Sequence, residues 1–475
     1  MIMWLMVVGM AGAADYSGTL PVLFISTTNQ EPITSKTDYL SGTYYLDAMG
    51  IEGYEDIGSA ELPLPLEIRG RGNYTWYYFD KKSFRLKLGA KQRLLGMNKN
   101  RHFALLAHAD DNVGFLRNTT SFEISRRMGM PFTPEQRPVE VVLNGEYMGL
   151  YFLTETVRVG KDRVNISEQA DCVSRADSIT GGWLVEIDNY EDKKQLQFPV
   201  EGTDLECFWV TYHSPDSLSE AQHDYLYGQF EDILQAFYAP GDDSTRWERL
   251  IDVHSLAMVY VIDEVVDHVE GFTGSCFLYK DYLEERWKLG PIWDMGHAFN
   301  ARHSKQKFIY DGSYFPVSII KRIATFPRFQ EEVMRVWDDF YPDGLEGLED
   351  FMNAFLDEIA PAAAVNADYW PTYGNRNVKA TGAAAFSRLR TKVAWLESQW
   401  RPVINRMKGE HEDPFDGVGD VNGDGHVDVG DIMSVINYMA STAQNISKEV
   451  ADVNGDGAVN VGDIMAVIEI MAINN

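Results

Sequence analysis

The chain has 475 residues, 45% of them hydrophobic, which is enough for two or three domains with cores of their own. Its formal net charge of −29 argues against nucleic acid and anionic membranes as partners, and no stretch is apolar for long enough to span a bilayer. The charge is uneven: residues 67–101 carry ten Lys or Arg against two acids, and residues 410–475 carry thirteen acids against one Lys. The basic island predicts either a bound anion or a solvated strand face.

The first fourteen residues, Met1–Ala14, are apolar and end in small residues. This pattern is typical of the core and cleavage region of a signal peptide and predicts export, although the basic start of such a peptide is absent. The alternative is an unprocessed, buried N-terminal strand. The three cysteines have no metal-binding spacing and predict no disulfide framework.

Residues 18–160 are predicted to be mostly strands. Leu20–Ser26 and Leu64–Gly70 have strand composition, and residues 139–153 form a predicted hairpin with an Asn-Gly turn at Asn144. One helix, over Leu116–Met128, interrupts this region.

From about residue 213 the pattern becomes helical. Ser217 and Glu220 have the spacing of a capping box and predict an amphipathic helix that runs to about Phe237. The remaining predicted elements are a helix over 252–270, a strand pair over 275–280 and 287–293, helices over 325–408 and a polar linker over 409–418.

The predicted fold class is α+β. The body, residues 15–408, has a strand-rich N-terminal lobe and a helical C-terminal lobe, and residues 419–475 form a small all-α domain. A cleft between two such lobes is the expected binding site.

Within the basic island, residues 68–76 read Ile-Arg-Gly-Arg-Gly-Asn-Tyr-Thr-Trp, a strand end that opens into a glycine turn. Glycine lets backbone N–H groups approach an anion closely, which makes the turn and its Arg69 and Arg71 candidates for anion binding. In the next strand, alternation puts Lys82 on the same face as the apolar positions 84, 86 and 88. An ammonium at the mouth of a buried face predicts an anionic partner, and the alternative is that Lys82 reaches solvent.

Acidic residues predict a second site. Residues 263–270, at the end of a predicted helix, include Glu270, and Asp294 follows an apolar strand. One carboxylate from each segment can share Mg²⁺ with a phosphate, because Mg²⁺ takes few protein oxygens and several from its substrate. The alternative is that these helix-end acids are solvated. Further candidates are Glu186, Asp188 and His297.

The chain ends with two nearly identical sequences of the calcium-loop type. They begin at Asp420 and at Asp452, an offset of 32 residues. Side-chain oxygens fall at loop positions 1, 3, 5, 9 and 12 and glycine at position 6, the ligand pattern of an EF-hand loop with Asp in the last place. The predicted calcium ligands are Asp420, Asn422, Asp424, Asp428 and Asp431, and Asp452, Asn454, Asp456, Asn460 and Asp463. We expect two bound Ca²⁺ and folding coupled to them, because loop carboxylates repel one another without metal.

Five sequence blocks of the body occur in a recognisable order, at residues 68–88, 116–118, 142–151, 275–281 and 290–294. Together they resemble the CotH family, the spore-coat-protein-H-like atypical kinases, over roughly residues 18–400. The resemblance implies a minimal protein-kinase-like fold and phosphorylation of Ser on secreted or coat proteins, dependent on ATP with Mg²⁺ or Mn²⁺.

Carried over residue by residue, the resemblance assigns the nucleotide phosphates to Lys82, and Arg69 and Arg71 of the glycine turn are further candidates for nucleotide binding. It assigns metal binding to Asp294 and makes Glu270 and Asp294 the catalytic carboxylates.

Two positions depart from the family pattern. Many members have Asn and a catalytic Asp where this chain has His268 and Glu270, and Gly296 replaces a second acid after Asp294. Since the placement of a catalytic base is sensitive to about an ångström, a non-catalytic pseudokinase is the alternative.

The tail resembles a type I dockerin, which implies attachment to a cohesin domain and a secreted or cell-surface protein. Loop positions 10 and 11, where such dockerins meet their cohesin, are Val429-Gly430 and Val461-Gly462, identical in both repeats. Either repeat can therefore present the same face, which predicts two docking orientations.

A competing function is a carbohydrate-associated component of a polysaccharide-degrading assembly. Trp76, Tyr77 and Tyr78 can stack on sugar, although a core cluster explains them as well. The basic island favours phosphate over a neutral glycan.

Overall fold

The computed structural model describes residues 16–199, 208–241, 243–299, 306–311, 319–408, 419–424, 426–441 and 446–473. The chain divides into two compact units, residues 1–398 and 399–475. The predicted signal peptide at 1–14 and the linker at 409–418 lie outside the described residues.

The first unit begins with a closed barrel of seven strands in the order β1-β2-β3-β4-β5-β7-β6. The strands are β1 Val22–Thr27, β2 Leu40–Asp47, β3 Leu64–Arg71, β4 Ser83–Gln92, β5 Asn100–Leu106, β6 Gln136–Leu143 and β7 Glu146–Glu155. All neighbouring pairs are antiparallel except β1 and β6, whose parallel pairing closes the barrel. The strands predicted at 20–26, 64–70 and 139–153 are confirmed, and Asn144 and Gly145 take the positive φ angles of a tight hairpin turn.

Alternation along the strands decides which side chains fill the barrel. On β4, Phe84, Leu86 and Leu88 are buried in the interior, while Arg85 and Lys87 point outward. On β3, Leu66 and Ile68 are interior in the same way. The predicted parity of β4 is therefore confirmed, and it assigns the basic side chains of β3 and β4 to the outer surface.

The glycine turn after β3 has a packing role. The ring of Trp76, on the short helix α1 (Tyr74–Tyr78), covers Gly70, and a Cβ at position 70 would lie 2.2 Å from a ring atom. The Gly70 N–H donates to the Ser35 carbonyl at 2.8 Å. Gly70 is thus required for close packing, because any side chain would displace the indole.

The part of this unit that was predicted to be helical apart from one strand pair contains a larger second sheet. Its five antiparallel strands run in the order β12-β11-β8-β10-β9. They are β8 Trp183–Asp188, β9 Gln195–Phe198, β10 Phe208–Ser214, β11 Cys276–Lys280 and β12 Lys288–Leu289. The predicted pair over 275–293 is confirmed as β11 and β12, whereas β9 and β10 were not predicted.

The helices of the first unit are α2 Leu116–Arg127, α3 Glu220–Tyr238, α4 Val253–Val265, α5 Ile319–Ile323, α6 Pro327–Phe340, α7 Leu348–Tyr369 and α8 Val378–Lys408, the last of which continues past residue 398. The predicted capping box was wrong by two residues, because Ser219 and Gln222 form it and Glu220 is the first helical residue. Helix α4 ends at Val265, so Asp267 and Glu270 lie in the turn that follows it.

The described residues of the second unit include three further helices, α9 Val429–Met439, α10 Lys448–Ala451 and α11 Val461–Ile473. Val421, Val435, Ala451 and Val467 form its core. Helices α9 and α11 begin at position 10 of each calcium loop, in agreement with the predicted all-α domain. In the described parts of both units, no helix combines the length and the apolar composition needed to cross a bilayer.

The packing of Trp76 on Gly70 gives a direct test of the barrel. We expect Gly70→Ala to lower the free energy of unfolding by about 1–3 kcal/mol, because the new methyl group overlaps the indole ring. The measurement is urea unfolding followed by far-UV circular dichroism.

The matched control is Gly228→Ala on α3, where no atom lies within 4 Å of the added Cβ. This change should be neutral or stabilise the protein by up to about 1 kcal/mol, because alanine favours the helix. Equal effects of the two substitutions would refute the packing role of Gly70.

Candidate active site and calcium loops

Asp294 lies on a loop that follows β12 and is held by the start of α2. The Met295 N–H donates to Asn118 Oδ1 at 3.0 Å, and Arg117 Nε donates to the Ala298 carbonyl at 3.2 Å. Asp294 itself is exposed and has a φ of 53°, in the left-handed region that non-glycine residues seldom adopt. Strained backbone of this kind is concentrated at functional sites.

Glu270 lies in the turn after α4 between two polar neighbours. Asn189 Nδ2 donates to Glu270 Oε1 at 3.2 Å, and His297 Nε2 lies 3.6 Å from Glu270 Oε2. Burial, reinforced by the negative charge of Asp294, raises the pKa of Glu270 even though His268 and Asn189 act in the opposite direction. A carboxylate held in one orientation with a raised pKa suits proton transfer or the positioning of a hydroxyl group.

Two further carboxylates come from β8, where Glu186 and Asp188 point to the same side of the second sheet. Burial and then the charge of Glu186 raise the pKa of Asp188 to about 7. Glu270 also contributes to this rise. Glu186, Asp188, Glu270 and Asp294 are called the acidic cluster below.

His268 is buried next to this cluster and hydrogen-bonded to Asp263, with 3.1 Å between its Nδ1 and Asp263 Oδ1. Burial lowers the pKa of His268, but the hydrogen bond and charge of Asp263 outweigh it and raise the pKa. Its Nε2 has no hydrogen-bond partner within the described residues. A charged imidazole here would offset part of the acidic cluster's negative charge.

The outer surface of the barrel carries a group of arginines. Arg69 and Arg85 are opposite one another in the register of β3 and β4. Burial lowers the pKa of Arg85 to about 10, and the neighbouring cations Arg69, Arg158 and Arg71 add to the effect. These four arginines are called the cationic face, and mutual repulsion at such a surface favours the binding of an anion.

Arg71 connects the cationic face to the acidic cluster. Its guanidinium carbon lies 5.5 Å from the ring centroid of Trp293, the residue before Asp294. Burial lowers the pKa of Arg71, and the charges of Asp294 and Glu186 oppose that shift. The two groups of opposite charge therefore belong to one site.

The structure puts Lys82 on the opposite face of the barrel wall from these arginines. Its ammonium donates to the Trp76 carbonyl at 2.5 Å and lies 5.4 Å from the centroid of the Trp76 ring. Trp76 packs against the barrel core, so the geometry associates Lys82 with the barrel mouth. The role of Lys82 in phosphate binding stays a prediction.

Its neighbour Lys81 is the buried lysine of the pair, with 1% of its surface exposed. The Lys81 ammonium donates to the carbonyls of Ala107 at 3.3 Å and Leu150 at 2.5 Å, and to Asn366 Oδ1 at 2.9 Å. Burial lowers the pKa of Lys81 to about 7. These contacts tie the barrel to α7.

Among the described residues, no three His, Cys, Asp or Glu side chains are close enough to form a preformed ion site. The acidic cluster nevertheless fits a Mg²⁺ ion bound partly by substrate, because such sites use one or two carboxylates together with phosphate oxygens. The exposed Asp294 carboxylate and the raised pKa of Asp188 are consistent with that fit.

The two loops of the second unit repeat the same hydrogen bonds. Asp431 accepts from the N–H groups of Asn422 at 3.0 Å and Asp428 at 2.8 Å, and Asp463 accepts from those of Asn454 at 3.1 Å and Asn460 at 2.7 Å. Asp431 and Asp463, at loop position 12, are both fully buried.

The second loop leaves one carboxylate oxygen without a partner. Asp452 accepts from the Gly457 N–H at 2.8 Å through Oδ2, while its Oδ1 is buried with no hydrogen-bond partner among the described residues. A buried carboxylate oxygen without a partner is costly unless a cation occupies the loop. The donor set therefore fits Ca²⁺.

Comparison with known families gives one match for each unit. Residues 68–408 match the CotH kinase protein family, and residues 418–472 match the type I dockerin domain. The chain belongs to the CotH kinase protein family and carries a C-terminal type I dockerin. Strands β1 and β2, which complete the barrel, precede the matched region. No curated protein matches the chain.

Type I dockerin domains bind calcium and cohesin domains, and proteins that carry them are typically extracellular or associated with the cell surface. The recognition of the two domains from their sequence blocks is thereby confirmed. The role of each predicted site residue stays a prediction.

Several residues of the site were not predicted. Asn189 and Asn118, which orient Glu270 and the Asp294 loop, gave no signal of their own, although Asn118 belongs to the recognised block at 116–118. Arg85 and Arg158 were not assigned a role, since their proximity to Arg71 requires the folded barrel.

The calcium loops can be tested in the full chain. We expect isothermal titration to give two Ca²⁺ per molecule and Asp463→Asn to leave one, because the substitution removes the charged ligand at loop position 12. Calcium at a hundred times its Kd should stabilise the second unit by about 2.7 kcal/mol for each site that binds.

The control is Glu469→Gln, the same loss of charge at an exposed position of α11 outside the loop. It should leave the stoichiometry at two. Loss of a site in this control, or none in Asp463→Asn, would contradict the ligand assignment.

Proposed function

We propose that the chain is a secreted, kinase-like phosphotransferase that uses Mg²⁺ or Mn²⁺ and ATP to phosphorylate Ser of extracellular proteins, and that its dockerin attaches it to a cohesin-bearing assembly. The observation that carries this proposal is the contact of Arg71 with Trp293, which brings the cationic face next to the acidic cluster. Phosphoryl transfer needs this pair of surfaces: cations for the phosphates, and carboxylates for the metal and the acceptor hydroxyl.

In this proposal the barrel is the first lobe of a bilobal kinase-like body, and the second sheet with its helices is the second lobe. Arg69, Arg71 and Arg85 bind the nucleotide phosphates, in a planar geometry that suits phosphate oxygens. Lys82 contributes if the nucleotide reaches the mouth of the barrel.

Asp294 would hold Mg²⁺, which would neutralise the charge of the phosphate oxygens when bound. The half-buried neighbours Asp188 and Glu186 strengthen the negative field at the metal position. Arg71 balances part of that field from the barrel side.

Glu270 is the residue proposed to position the acceptor hydroxyl and accept its proton. Asn189 donates to one oxygen of this carboxylate and His297 lies 3.6 Å from the other, which would help to place a side chain one methylene longer than aspartate. Asn118 accepts a hydrogen bond from the loop bearing Asp294, which restricts the position of that carboxylate.

This proposal predicts that phosphoryl transfer depends on Asp294 and that nucleotide affinity depends on Arg71. With Mn²⁺ or Mg²⁺ and labelled ATP, Asp294→Asn should abolish label transfer to protein. Arg71→Gln should weaken nucleotide affinity at least about tenfold, read from the nucleotide-dependent thermal shift, because a charge-assisted phosphate contact is lost.

Matched controls are Asp224→Asn and Arg175→Gln, which make the same charge changes at side chains that are 72% and 77% exposed. Both should behave as the unmodified protein. Nucleotide binding without transfer would identify a pseudokinase, and absence of any nucleotide-dependent shift would refute the kinase proposal.

The dockerin presents two matching apolar surfaces. Three residue pairs related by the 32-residue offset have nearly equal exposure: Val429 61% and Val461 62%, Met433 50% and Met465 50%, and Ile436 40% and Ile468 41%. Exposed aliphatic residues at equivalent positions of α9 and α11 support two docking orientations on a cohesin.

Single Val429→Asp and Val461→Asp substitutions should therefore each leave cohesin binding largely intact, and the double substitution should abolish it. The measurement is affinity for a type I cohesin in the presence of Ca²⁺. Loss of binding in either single variant would exclude equivalent orientations.

A further inference from the structure

A second surface of the first unit is aromatic and has no role in the proposed phosphoryl transfer. Tyr74, Tyr77 and Tyr78 of α1 are 52%, 69% and 72% exposed. Exposed rings grouped in this way mark a binding surface, because a solvated surface position has no need of a large apolar ring.

Successive rings are in contact and form a continuous row across the surface. Ring centroids lie 4.8 Å apart for Tyr78 and Tyr74, 5.7 Å for Tyr74 and Phe79, and 5.4 Å for Phe79 and Tyr373. These four residues are called the aromatic strip. It joins α1 to the segment that follows α7, which are distant in sequence.

The strip ends in a polar groove of about 490 Å³. Phe79 and Tyr373 belong to the strip and also line the groove. The remaining lining residues are mostly amide, hydroxyl or charged: Ala109, Asp110, Asp111, Asn112, Thr372, Gly374, Asn375, Arg376 and Thr381. This volume is within the range of about 300–1,000 Å³ that is usual for small-molecule sites.

The charged groups of the groove are already engaged with protein partners. Arg376 pairs with Asp368, Asp111 Oδ2 accepts from the Phe115 N–H at 2.7 Å, and Asp110 lies 3.9 Å from Arg117. The groove therefore offers no unopposed cation for a phosphate or carboxylate ligand.

The lining also argues against a protein partner. The buried centres of protein interfaces are depleted of charged residues, whereas this groove contains two aspartates and an arginine. The chain's net charge of −29 disfavours nucleic acid, the other polymer that stacks on aromatic rings.

We propose that the aromatic strip and the groove bind a neutral oligosaccharide. A sugar ring has an apolar C–H face, which packs on an aromatic ring, and a rim of hydroxyl groups, which hydrogen-bond to carboxylate and amide oxygens. Tyr74, Tyr78, Phe79 and Tyr373 supply the ring faces, and Asp110 and Asn112 supply acceptors at the groove. Sugar binding needs no nucleotide, but the groove adjoins the acidic cluster, because Arg117 lies 3.9 Å from Asp110 and also donates to the Ala298 carbonyl on the loop that carries Asp294.

The test is isothermal titration of the full chain, loaded with Ca²⁺, with cellohexaose, xylohexaose and mannohexaose. We expect at least one of these probes to bind. Tyr373→Ala should weaken that binding at least about tenfold, because it removes a ring shared by strip and groove. Tyr78→Ser, at the exposed end of the strip, and Asp110→Asn should each weaken it as well.

The matched control is Tyr369→Ala, which removes a 47% exposed ring that contacts Tyr147 and lies outside the strip and the groove. It should leave oligosaccharide affinity unchanged. If Tyr373→Ala does not fold, as judged by circular dichroism, Tyr78→Ser and Asp110→Asn decide the question, since one is exposed and the other is isosteric.

Three results would overturn this assignment: no binding of any of the three probes, binding that none of the folded variants weakens, or displacement of the bound probe by ATP. The third result would make the groove part of a nucleotide site. Failure of ATP to bind anywhere would refute the proposed kinase function and leave the oligosaccharide site unaffected.

Discussion

Closing the seven-stranded barrel determines on which side of β3 and β4 every side chain must lie. The interior accepts only the apolar series that includes Ile68, Phe84 and Leu86, so the intervening Arg69 and Arg85 are directed outward. A closed sheet has no edge at which a one-residue slip in register could be accommodated. The cationic face is therefore a consequence of the same alternation that builds the core.

The acidic cluster depends on a different constraint, the concentration of like charges in a partly buried position. Asp188 and Glu270 both have raised pKa values because burial and neighbouring carboxylates disfavour their charged forms. Such an arrangement persists only if cations compensate it, and Arg71 and His268 are close enough to act on it. Fixed charges of both signs around one space are the form in which proteins stabilise transferring phosphate groups.

The two units differ in how local their chemistry is. The predicted ligands of each calcium loop come from twelve consecutive residues, and the hydrogen bonds of Asp431 and Asp463 repeat without reference to the rest of the chain. The site of the body instead combines Arg71, Asn189, Glu270 and Asp294, which come from four separate segments. A change in any of those segments can alter the site, whereas the loops are insulated from changes in the body.

The sequence by itself determined the local features. These are the hairpin at Asn144, the alternation of inward and outward side chains on β4, and the spacing of the predicted calcium ligands from Asp420 to Asp463. Each depends on residues that are close in the chain, where backbone geometry permits few alternatives. The second sheet was underestimated because β9 and β10 are short and precede a strong helical pattern.

Only the tertiary structure decided which of two adjacent lysines is buried and what each contacts. Lys81 is enclosed by Ala107, Leu150 and Asn366, partners between 26 and 285 residues away, and Lys82 turns to Trp76. In the same way, the hydrogen-bond donor to Glu270 is Asn189, which lies 81 residues earlier in the chain. Long-range contacts of this kind follow from how whole elements pack, which the pattern of a single segment does not contain.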